Sequence, residues 1–475
     1  METLDLIVLA GYFLAVLAVG AYFLRRQTDV DEYLVGNRKI GAGHLGLSVV
    51  ATDVGGGFTV GLGGLGFAIG LSGSWMLFTG LLGAWLAAVI LIPRIKPPAD
   101  LHRWRSFPDF LQHRYGAKTR GMAALVSGIG YAGFTGAQVL AGAKLVHGAF
   151  PQIPELQAAL IMGLIVIGYT AMGGLEAVVY TDSVQWVVLL GGLLLFGVPA
   201  AWDAVGGWEG LEATLPASHL DPLHVFRAEP WTVVSWLLTI TPIWFVAMTL
   251  YQRICAARDV RTARRAWFVA GILEWPTIAI LGTVLGMCAR SLYPEMDGEA
   301  AMPRMLADNL PVGVTGLVLA SFFSAVMSTA DSCLLAAVGH ATHDVPATRR
   351  LSERRQLQLS RVLTLLIGAV SLSIALVSES VLGAILGAYQ VLVCGLFIPT
   401  LGGILWKRGR SAGAVASIVL GGGWALLLVL FPDALLARLP AGWDRDPILS
   451  GLPISLMAYI GFSLMIGRRS PAESN

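Results

Sequence analysis

Long apolar stretches, each separated from the next by a short polar one, run along the whole chain. Windows of about 20 apolar residues, the length that crosses a bilayer as a helix, recur thirteen times. The pattern predicts an all-α integral membrane protein with about 13 transmembrane helices. The predicted spans are 4–24, 43–70, 74–94, 121–147, 156–173, 182–200, 231–252, 267–288, 311–342, 357–378, 382–406, 411–431 and 450–467.

Composition and charge agree with this prediction and give it an orientation. Only 13% of the residues are charged, whereas soluble domains carry about 25%. Because basic loops stay in the cytoplasm, the loops that hold 26 of the 32 Lys and Arg residues should lie on that side of the plasma or inner membrane. The N-terminus is then outside and the C-terminus inside. The basic loops are 25–42, 94–120, 253–265, 349–361, 407–410 and 468–469.

The expected partners are the lipid bilayer and a small solute. A net charge of +2 gives no indication of nucleic-acid binding. The sequence contains no phosphate-binding loop of the Walker type, which argues against ATP as the energy source. The chain after residue 470 is too short for a soluble domain, and no obligatory protein partner is evident.

One predicted span contains the sequence ATDVGGG at residues 51–57. An acid in the middle of a lipid-exposed helix costs roughly 2.5–3.5 kcal/mol on insertion scales, and each Gly gives up about 1 kcal/mol of helix propensity relative to Ala. A segment that only crossed the bilayer would avoid both. We therefore expect a helix that is broken at membrane depth, where freed backbone carbonyls can bind a cation.

A second polar cluster lies in the ninth predicted span, at residues 324–332. Ala325, Ser328, Thr329 and Ser332 follow the spacing i, i+3, i+4, i+7 and so share one helix face. Two hydroxyls and a carbonyl suit a small hard cation, which takes oxygen ligands. The alternative is that the hydroxyls only bind carbonyls of their own helix.

Six ordered stretches of the sequence resemble the sodium:solute symporter family, which includes proline, pantothenate, sialic-acid and sodium/glucose transporters. MSTADS is the most specific of them, and the resemblance covers about residues 1–465. The stretches are EYLVGNR at 32–38, ATD at 51–53, TDSVQ at 181–185, QR with AAR at 252–258, MSTADS at 327–332, and GLFIP with WKR at 395–408.

The resemblance implies a leucine-transporter-type core made of two inverted repeats of five helices each. The first helix of each repeat would be discontinuous, and Pro242 could break the second of these, although a plain kink is the alternative. The implied organisation is an N-terminal helix and cytoplasmic loop (1–42), repeat 1 (43–200), an extracellular loop (201–230), repeat 2 (231–408), and two peripheral helices with a short tail (409–475).

The resemblance also implies a sodium site. Its ligands would be the carbonyls of Ala51, Val54 and Ala325 and the hydroxyls of Ser328 and Thr329. Asp53 and the glycines Gly55, Gly56 and Gly57 would support it.

Some family members have a second sodium site, which here would comprise Asp182, Asp331 and Ser332. Asp331 replaces a Ser of the family pattern, so the two carboxylates could bind a proton instead. Asp182 could also simply cap its helix.

The solute is implied to bind in mid-membrane. Residues 244–248 carry no amide side chain, which argues against a sugar, because a sugar needs many hydrogen bonds to replace water. Glu274 stands where the sugar transporters have a lysine, and a buried carboxylate near aromatic rings suits an ammonium group. The alternatives are a protonated Glu274 or one paired with Lys144. The candidate lining residues are Thr52, Thr59, Trp75, Phe78, Gln138, Trp244, Glu274 and Tyr389.

The sequence thus predicts a sodium-coupled secondary transporter that imports a small organic solute, such as an amino acid or amine, by alternating access. One alternative is proton coupling through Asp53, Asp182 or Asp331, and another is a transporter-like membrane sensor. An enzyme is not expected, because the histidines are not paired with acids at ligand spacing. These histidines are His102, His113, His340 and His343.

Overall fold

The computed structural model describes residues 3–24, 38–53, 55–172, 185–345, 351–432 and 446–465, together with residues 348 and 435. Regular structure within these ranges is helical, apart from one bridge between Ile40 and Ala257. The main helices are α1 (Thr3–Leu24), α2 (Ala42–Asp53), α3 (Gly55–Ile69), α4 (75–101), α5 (Phe107–Tyr115), α6 (Ala117–Ala149), α7 (Glu155–Met172), α8 (Gln185–Ala204), α9 (Pro230–Ile243), α10 (Met248–Ala256), α11 (Val260–Leu292), α12 (Gly298–Asn309), α13 (Val314–Asp344), α14 (Glu353–Val377), α15 (Val381–Leu405), α16 (Ser411–Leu430) and α17 (Pro447–Met465).

The helices agree with the spans that the hydrophobic pattern predicted. Ten helices in the described ranges are long and apolar enough to cross a membrane. One of them, Gly55–Leu101, contains two predicted spans joined through a 3₁₀ turn at Gly70–Ser74. Two shorter apolar helices, Thr3–Ala15 and Glu155–Ala171, correspond to spans 1 and 5. Every predicted span therefore has a helical counterpart.

The second span is broken, as its glycine run predicted. α2 ends at Asp53, and α3 starts at Gly55 with a φ of +43°, a value that favours glycine. A Cβ on Gly55 would lie 1.8 Å from Thr329 Oγ1, and one on Gly56 would lie 2.2 Å from a methyl carbon of Val326. Only glycine lets the start of α3 approach α13 this closely.

The seventh span is broken as well. α9 ends at Ile243 and α10 starts at Met248, and Ala247 between them is extended with ψ of 118°. Pro242 lies in the last turn of α9, where it removes one helix hydrogen bond just before the break. The prediction that spans 2 and 7 form a discontinuous pair is confirmed.

Buried Arg253 joins the second broken span to the first. Its Nε donates to Ser48 Oγ at 2.9 Å, and its Nη2 donates to Ser332 Oγ at 3.0 Å. Because the guanidinium presents several donors in a fixed plane, one side chain of α10 can bind both α2 and α13. The two breaks therefore lie against the same central helix, α13, which is buried along nearly its whole length.

Candidate ion and solute sites

Four oxygen atoms from α2 and α13 lie together where the first broken span meets α13. Ser328 Oγ and Thr329 Oγ1 lie 3.2 Å and 3.0 Å from the carbonyl oxygen of Ala51. The same hydroxyl oxygens lie 3.0 Å and 3.4 Å from the carbonyl oxygen of Ala325. The hydroxyls thus bind their own helix, as the alternative expected, but they also reach a carbonyl of another helix. Val54, the remaining predicted ligand, lies outside the described residues.

A small cavity adjoins these oxygens. Its volume is about 10 Å³, close to what one water molecule requires, so a dehydrated sodium ion has room there. The α2 C-terminus also faces this point with the negative end of its helix dipole, which favours a cation. The oxygen ligands, the volume of the cavity and the electric field of the α2 dipole therefore all suit a sodium ion. The lining residues are Val50, Ala51, Gly55, Gln185, Trp186, Leu189, Ala325 and Ser328.

The residues predicted for a second sodium site are placed only in part. Asp182 lies outside the described residues. Asp331 is buried on α13, and Ser332 follows it. Ser332 Oγ accepts from Arg253 Nη2 and lies 3.4 Å from Thr52 Oγ1. The hydroxyl of Thr52, predicted to line the solute site, therefore faces the hydroxyl of Ser332.

The acids Asp53 and Glu274 lie next to each other in the centre of the bundle. Asp53 is 5% exposed, Glu274 is fully buried, and their carboxyl groups interact. A π turn at Glu274–Ala279 interrupts α11 here, and the Glu274 carboxyl fills the space that a Cβ on Gly80 would occupy. Neither oxygen of Glu274 accepts a hydrogen bond from any donor in the described ranges.

The alternative partner for Glu274 is wrong. Lys144 instead forms an ion pair with Asp297, and its Nζ lies 3.8 Å from Glu155 Oε1. The reason is position along the helix, since Lys144 lies in the last turns of α6, next to the loop before α12. The positive charge of Lys144 is thus neutralised at the end of the bundle, and Lys144 forms no ion pair with Asp53 or Glu274.

Two further predicted lining residues, on α15 and α6, are buried. Tyr389 Oη donates a long hydrogen bond to Asp53 Oδ1 at 3.5 Å, and its ring centroid lies 5.0 Å from that of Phe134. Gln138 Oε1 accepts from the Gly57 backbone N–H at 2.8 Å, whereas its Nε2 has no acceptor among the described residues. The phenol of Tyr389 thus reaches the carboxyl of Asp53, and the amide of Gln138 binds the start of α3.

The other predicted lining residues have different neighbours. Thr59 Oγ1 donates to the carbonyl of Gly55 at 2.7 Å, within its own helix. Trp244 is buried edge-to-face against Trp267, with ring centroids 6.4 Å apart. Trp75 and Phe78 form a separate aromatic cluster with Trp275 and Phe226, and Trp75 Nε1 donates to the carbonyl of Pro222. That cluster lies beside the loop 201–230.

Two residues that were not among the predicted site residues adjoin the sites. Gln185 lines the cavity beside Ala51, and Arg253 contacts Ser332. Both belong to stretches that resemble the family, TDSVQ and QR, so the motifs already indicated their regions. Motifs cannot indicate which atom each side chain contacts.

The expectation that the histidines lack acidic partners is wrong for two of them. His340 Nδ1 lies 2.7 Å from Asp344 Oδ2, and His343 Nε2 lies 3.4 Å from Asp109 Oδ2. Arg120 binds both carboxylates, with its Nη1 2.9 Å from Asp109 Oδ1. His343 and Asp109 are 234 residues apart, so local spacing could not indicate that pair. His340 and Asp344 stand at i, i+4 on α13, a spacing that the sequence does display. The guanidinium between the acids also makes this group a charge network and a poor metal site.

Comparison with known proteins gives a consistent result. The sequence profile of the sodium:solute symporter family matches residues 33–421. An osmoregulated proline transporter of Bacillus subtilis (strain 168) is 26% identical, over 99% of this chain and 97% of its own. A sodium/myo-inositol cotransporter 2 of Sus scrofa is 29% identical, over 89% of this chain and 69% of its own. A high-affinity proline transporter of Bacillus subtilis (strain 168) is 24% identical, over 85% and 88%.

Two solved structures resemble the fold. A Na⁺-coupled sialic acid symporter in a substrate-bound outward-open state gives a TM-score of 0.81 at 20% identity, and the match covers 99% of both chains. A nucleobase-cation-symport-1 family transporter in a closed conformation gives 0.60 at 15% identity, over 94% of this chain and 98% of its own. The predicted leucine-transporter-type fold is confirmed.

Proposed function

Since the chain belongs to the sodium:solute symporter family, whose members are membrane transporters and not enzymes, we propose how it couples its ion to its solute. The protein is a sodium-coupled symporter of a small organic solute. We infer that sodium binds to the carbonyls of Ala51, Val54 and Ala325 and the hydroxyls of Ser328 and Thr329. The solute carries an ammonium group and binds at Asp53 and Glu274.

The sodium proposal rests on the oxygen cluster between α2 and α13. A bound ion would join the C-terminal end of α2 to the hydroxyls of α13 and so hold the broken span against the central helix. The carboxylate of Asp53 adds negative charge near the ion without being a ligand. Binding of the ion would thereby favour the arrangement of α2 and α13 in which the solute site is formed. In this way the sodium gradient would drive uptake of the solute.

The single observation that carries the solute proposal is the pair of buried carboxyl groups. Taking one carboxylate out of water costs several kcal/mol, and a second one beside it adds repulsion. No Lys, Arg or His in the described ranges forms an ion pair with Asp53 or Glu274. An ammonium group supplies positive charge and hydrogen-bond donors together, and it is attracted to the face of the Tyr389 ring.

The relatives support an amino-acid solute, and one of them indicates the main alternative, a polyol. Two of them are proline transporters, whose solute bears a protonated amine. Another is a myo-inositol cotransporter, whose solute has hydroxyls only. Because a polyol offers no positive charge, it would leave the two carboxyls uncompensated.

Uptake into reconstituted vesicles tests the solute proposal. With an inward sodium gradient, we expect uptake of at least one labelled amino acid or amine, L-proline included, and none of myo-inositol. Glu274→Gln should lower this uptake at least tenfold, whereas Glu295→Gln, the same change at an exposed position, should leave it unchanged. Uptake of polyols that is insensitive to Glu274→Gln would contradict the proposal. Uptake driven by a proton gradient without sodium would favour proton coupling.

The hydroxyl ligands give a test of the sodium site. Thr329→Ala and Ser328→Ala each remove one oxygen ligand and should raise the half-saturating sodium concentration at least tenfold. Ser373→Ala is the matched control, because the Ser373 hydroxyl binds only its own helix on an exposed face. Equal sodium dependence of all three variants would contradict the site.

The glycine break gives an independent test of the same site. Gly55→Ala should abolish sodium-driven uptake, because its Cβ would displace Thr329 Oγ1 and the left-handed backbone would be strained. Gly128→Ala on α6 is the control, since nothing lies within 4 Å of its Cβ position. Wild-type sodium affinity in Gly55→Ala would contradict the proposed role of the break.

We also propose the organisation around the sites. Repeat 1 covers 43–200 and repeat 2 covers 231–408, and each starts with a broken span. Residues 1–42, 201–230 and 409–475 lie outside the repeats. The N-terminus lies outside the cell membrane and the C-terminus lies in the cytoplasm, and the expected partners are sodium, the solute and the lipid bilayer. Reporter fusions at either terminus test this orientation.

We also propose a second sodium site. Asp182, Asp331 and Ser332 would hold a second sodium ion, and Asp331 is the residue that departs from the family pattern. The change Asp331→Ser restores that pattern. We expect it to retain sodium-driven uptake and to change the Hill coefficient for sodium by less than Asp331→Ala does. If Asp331→Ala leaves sodium cooperativity at the wild-type value, this second site is excluded.

A further inference from the structure

Gln185, the first described residue of α8, lies beside the proposed sodium ligands. Its side chain is 4% exposed and lines the small cavity together with Ala51, Gly55 and Ser328. α8 is therefore the third helix at the cavity, after the broken span and α13. The position alone does not make Gln185 a ligand, and the orientation of its amide decides that question.

The amide of Gln185 is oriented by a tyrosine on a peripheral helix. Gln185 Nε2 donates to Tyr12 Oη at 3.2 Å. Gln185 Oε1 then points away from Tyr12 and accepts no hydrogen bond from any donor in the part of the chain that the structure describes. A buried amide oxygen without a donor is costly and rare in proteins. Such an oxygen at the edge of a cation-sized cavity is suited to be a ligand.

Tyr12 is held in place through the contact of α1 with α13. Asp5 Oδ1 accepts from the backbone N–H groups of Gly313 and Gly316 at 2.7 Å and 2.9 Å, which fixes α1 to the N-terminus of α13. The ring of Phe13 lies 5.3 Å from that of Phe323. Tyr12 itself packs against the buried cluster of Tyr169 and Met327, the latter being the residue before Ser328. A helix outside the proposed repeats is thus anchored to the ion-binding segment of α13.

We propose that the side-chain oxygen of Gln185 is a further sodium ligand and that Tyr12 positions it. This inference rests on the proposed sodium site and adds one ligand to it. Hard cations of this kind prefer several oxygen ligands, and amide carbonyls are among the usual ones. With Nε2 donating to Tyr12, the other end of the amide is Oε1, so sodium meets an oxygen and not an NH₂ group. α1 therefore contributes to sodium affinity without contacting the ion.

Sodium-dependent thermal stabilisation of the purified protein tests the proposal without relying on transport. Gln185→Met keeps the length of the side chain and removes the oxygen, so the half-stabilising sodium concentration should rise about tenfold. Tyr12→Phe removes only the hydroxyl that orients the amide and should raise it two- to fivefold. Gln185→Glu keeps an oxygen and should stay within threefold of wild type. Gln157→Met, the same change at an exposed site on α7, should have no effect.

The outcomes separate this proposal from the sodium site itself. If Ser328→Ala weakens sodium binding but Gln185→Met does not, Gln185 is no ligand and the site stands without it. If neither variant changes the sodium concentration, the sodium site is wrong and the proposal falls with it. Should Gln185→Met fail to fold, Tyr12→Phe decides, because a wild-type sodium response in that variant overturns the positioning role.

Discussion

Asp109 and Asp344, at the end of the bundle that carries the basic loops, both bind the guanidinium of Arg120, whereas Asp53 and Glu274 in the centre face one another. All four carboxyls are at least nine-tenths buried. Removing a carboxylate from water costs several kcal/mol in either place. The difference is what offsets that cost, and it indicates which acids serve the fold and which serve transport.

At the basic end, the chain itself supplies the positive charge and the hydrogen bonds. Ser106 Oγ donates to Asp344 Oδ1 at 2.8 Å, and His343 lies beside Asp109. Burial raises the pKa of Asp109, but hydrogen bonding and attraction from His343 and Arg120 outweigh it, so this pKa lies below its ordinary value. The network connects α5, α6 and α13, and each of its two acids has Arg120 and a histidine of the chain beside it.

In the centre, the described residues offer the two acids only the phenol of Tyr389. The compensating charge must come from solution, as a proton, sodium or the solute. A buried acid whose partner is part of the chain stabilises the fold, and one whose partner must arrive from outside is a binding site. This comparison predicts opposite responses to mutation in the two regions.

Removal of the arginine at the basic end should have the largest effect on stability. Arg120→Met leaves Asp109 and Asp344 buried without their main partner and should destabilise the protein by about 3–5 kcal/mol. Thermal unfolding in detergent, followed by tryptophan fluorescence, measures the change. The control is Arg261→Met, at an exposed position on α11. A melting temperature equal to that of the control would show that the network contributes nothing.

Neutralising the central acids should have a smaller effect of the opposite sign. Glu274→Gln and Asp53→Asn remove a charge that the chain does not pair, so the solute-free protein should keep its stability or gain about 1 kcal/mol. The same thermal unfolding assay measures this change in the absence of solute. A loss as large as that of Arg120→Met would mean that these acids are structural, and the comparison would fail.

The smallest expected effect is the pH dependence of Asp109. Because its folded pKa is lowered, its contribution to stability is fully present above the unfolded pKa of about 3.9 and is lost as the pH falls through the folded pKa. The difference in melting temperature between wild type and Asp109→Asn should therefore shrink as the pH falls from 5 to below about 4. A difference that grows towards acid pH would contradict the pairing.

The breaks in the fold could be predicted because their causes are local. Gly55 and Pro242 disturb a helix wherever they occur, and the hydrophobic pattern around them gives the span. The meeting of Ala51 with Ser328, far apart in the sequence, could be expected from the family resemblance alone. Composition and periodicity indicate which face of α13 is polar but not which helix it contacts.

The contacts between side chains of distant helices could not be predicted. The sequence indicated that Glu274 was important, yet it left Lys144 as a partner, and only the packing of α2 against α11 brings Glu274 to Asp53. His343 was judged unpaired for the same reason. The ligand role proposed for Gln185 depends on the orientation of its amide. The hydrogen bond to Tyr12 indicates that orientation, and no pattern in the sequence does.

The most direct test of the central claim is a thermal-shift measurement on purified wild type and Glu274→Gln, with ammonium-bearing solutes and with polyols. The account predicts that at least one amino acid or amine raises the melting temperature of wild type in sodium chloride and not in potassium chloride. At a hundred times its dissociation constant, the gain would be about 2.7 kcal/mol. Glu274→Gln should lose that shift. If myo-inositol stabilises both proteins equally and no ammonium-bearing solute stabilises either, the central acids are not the solute site.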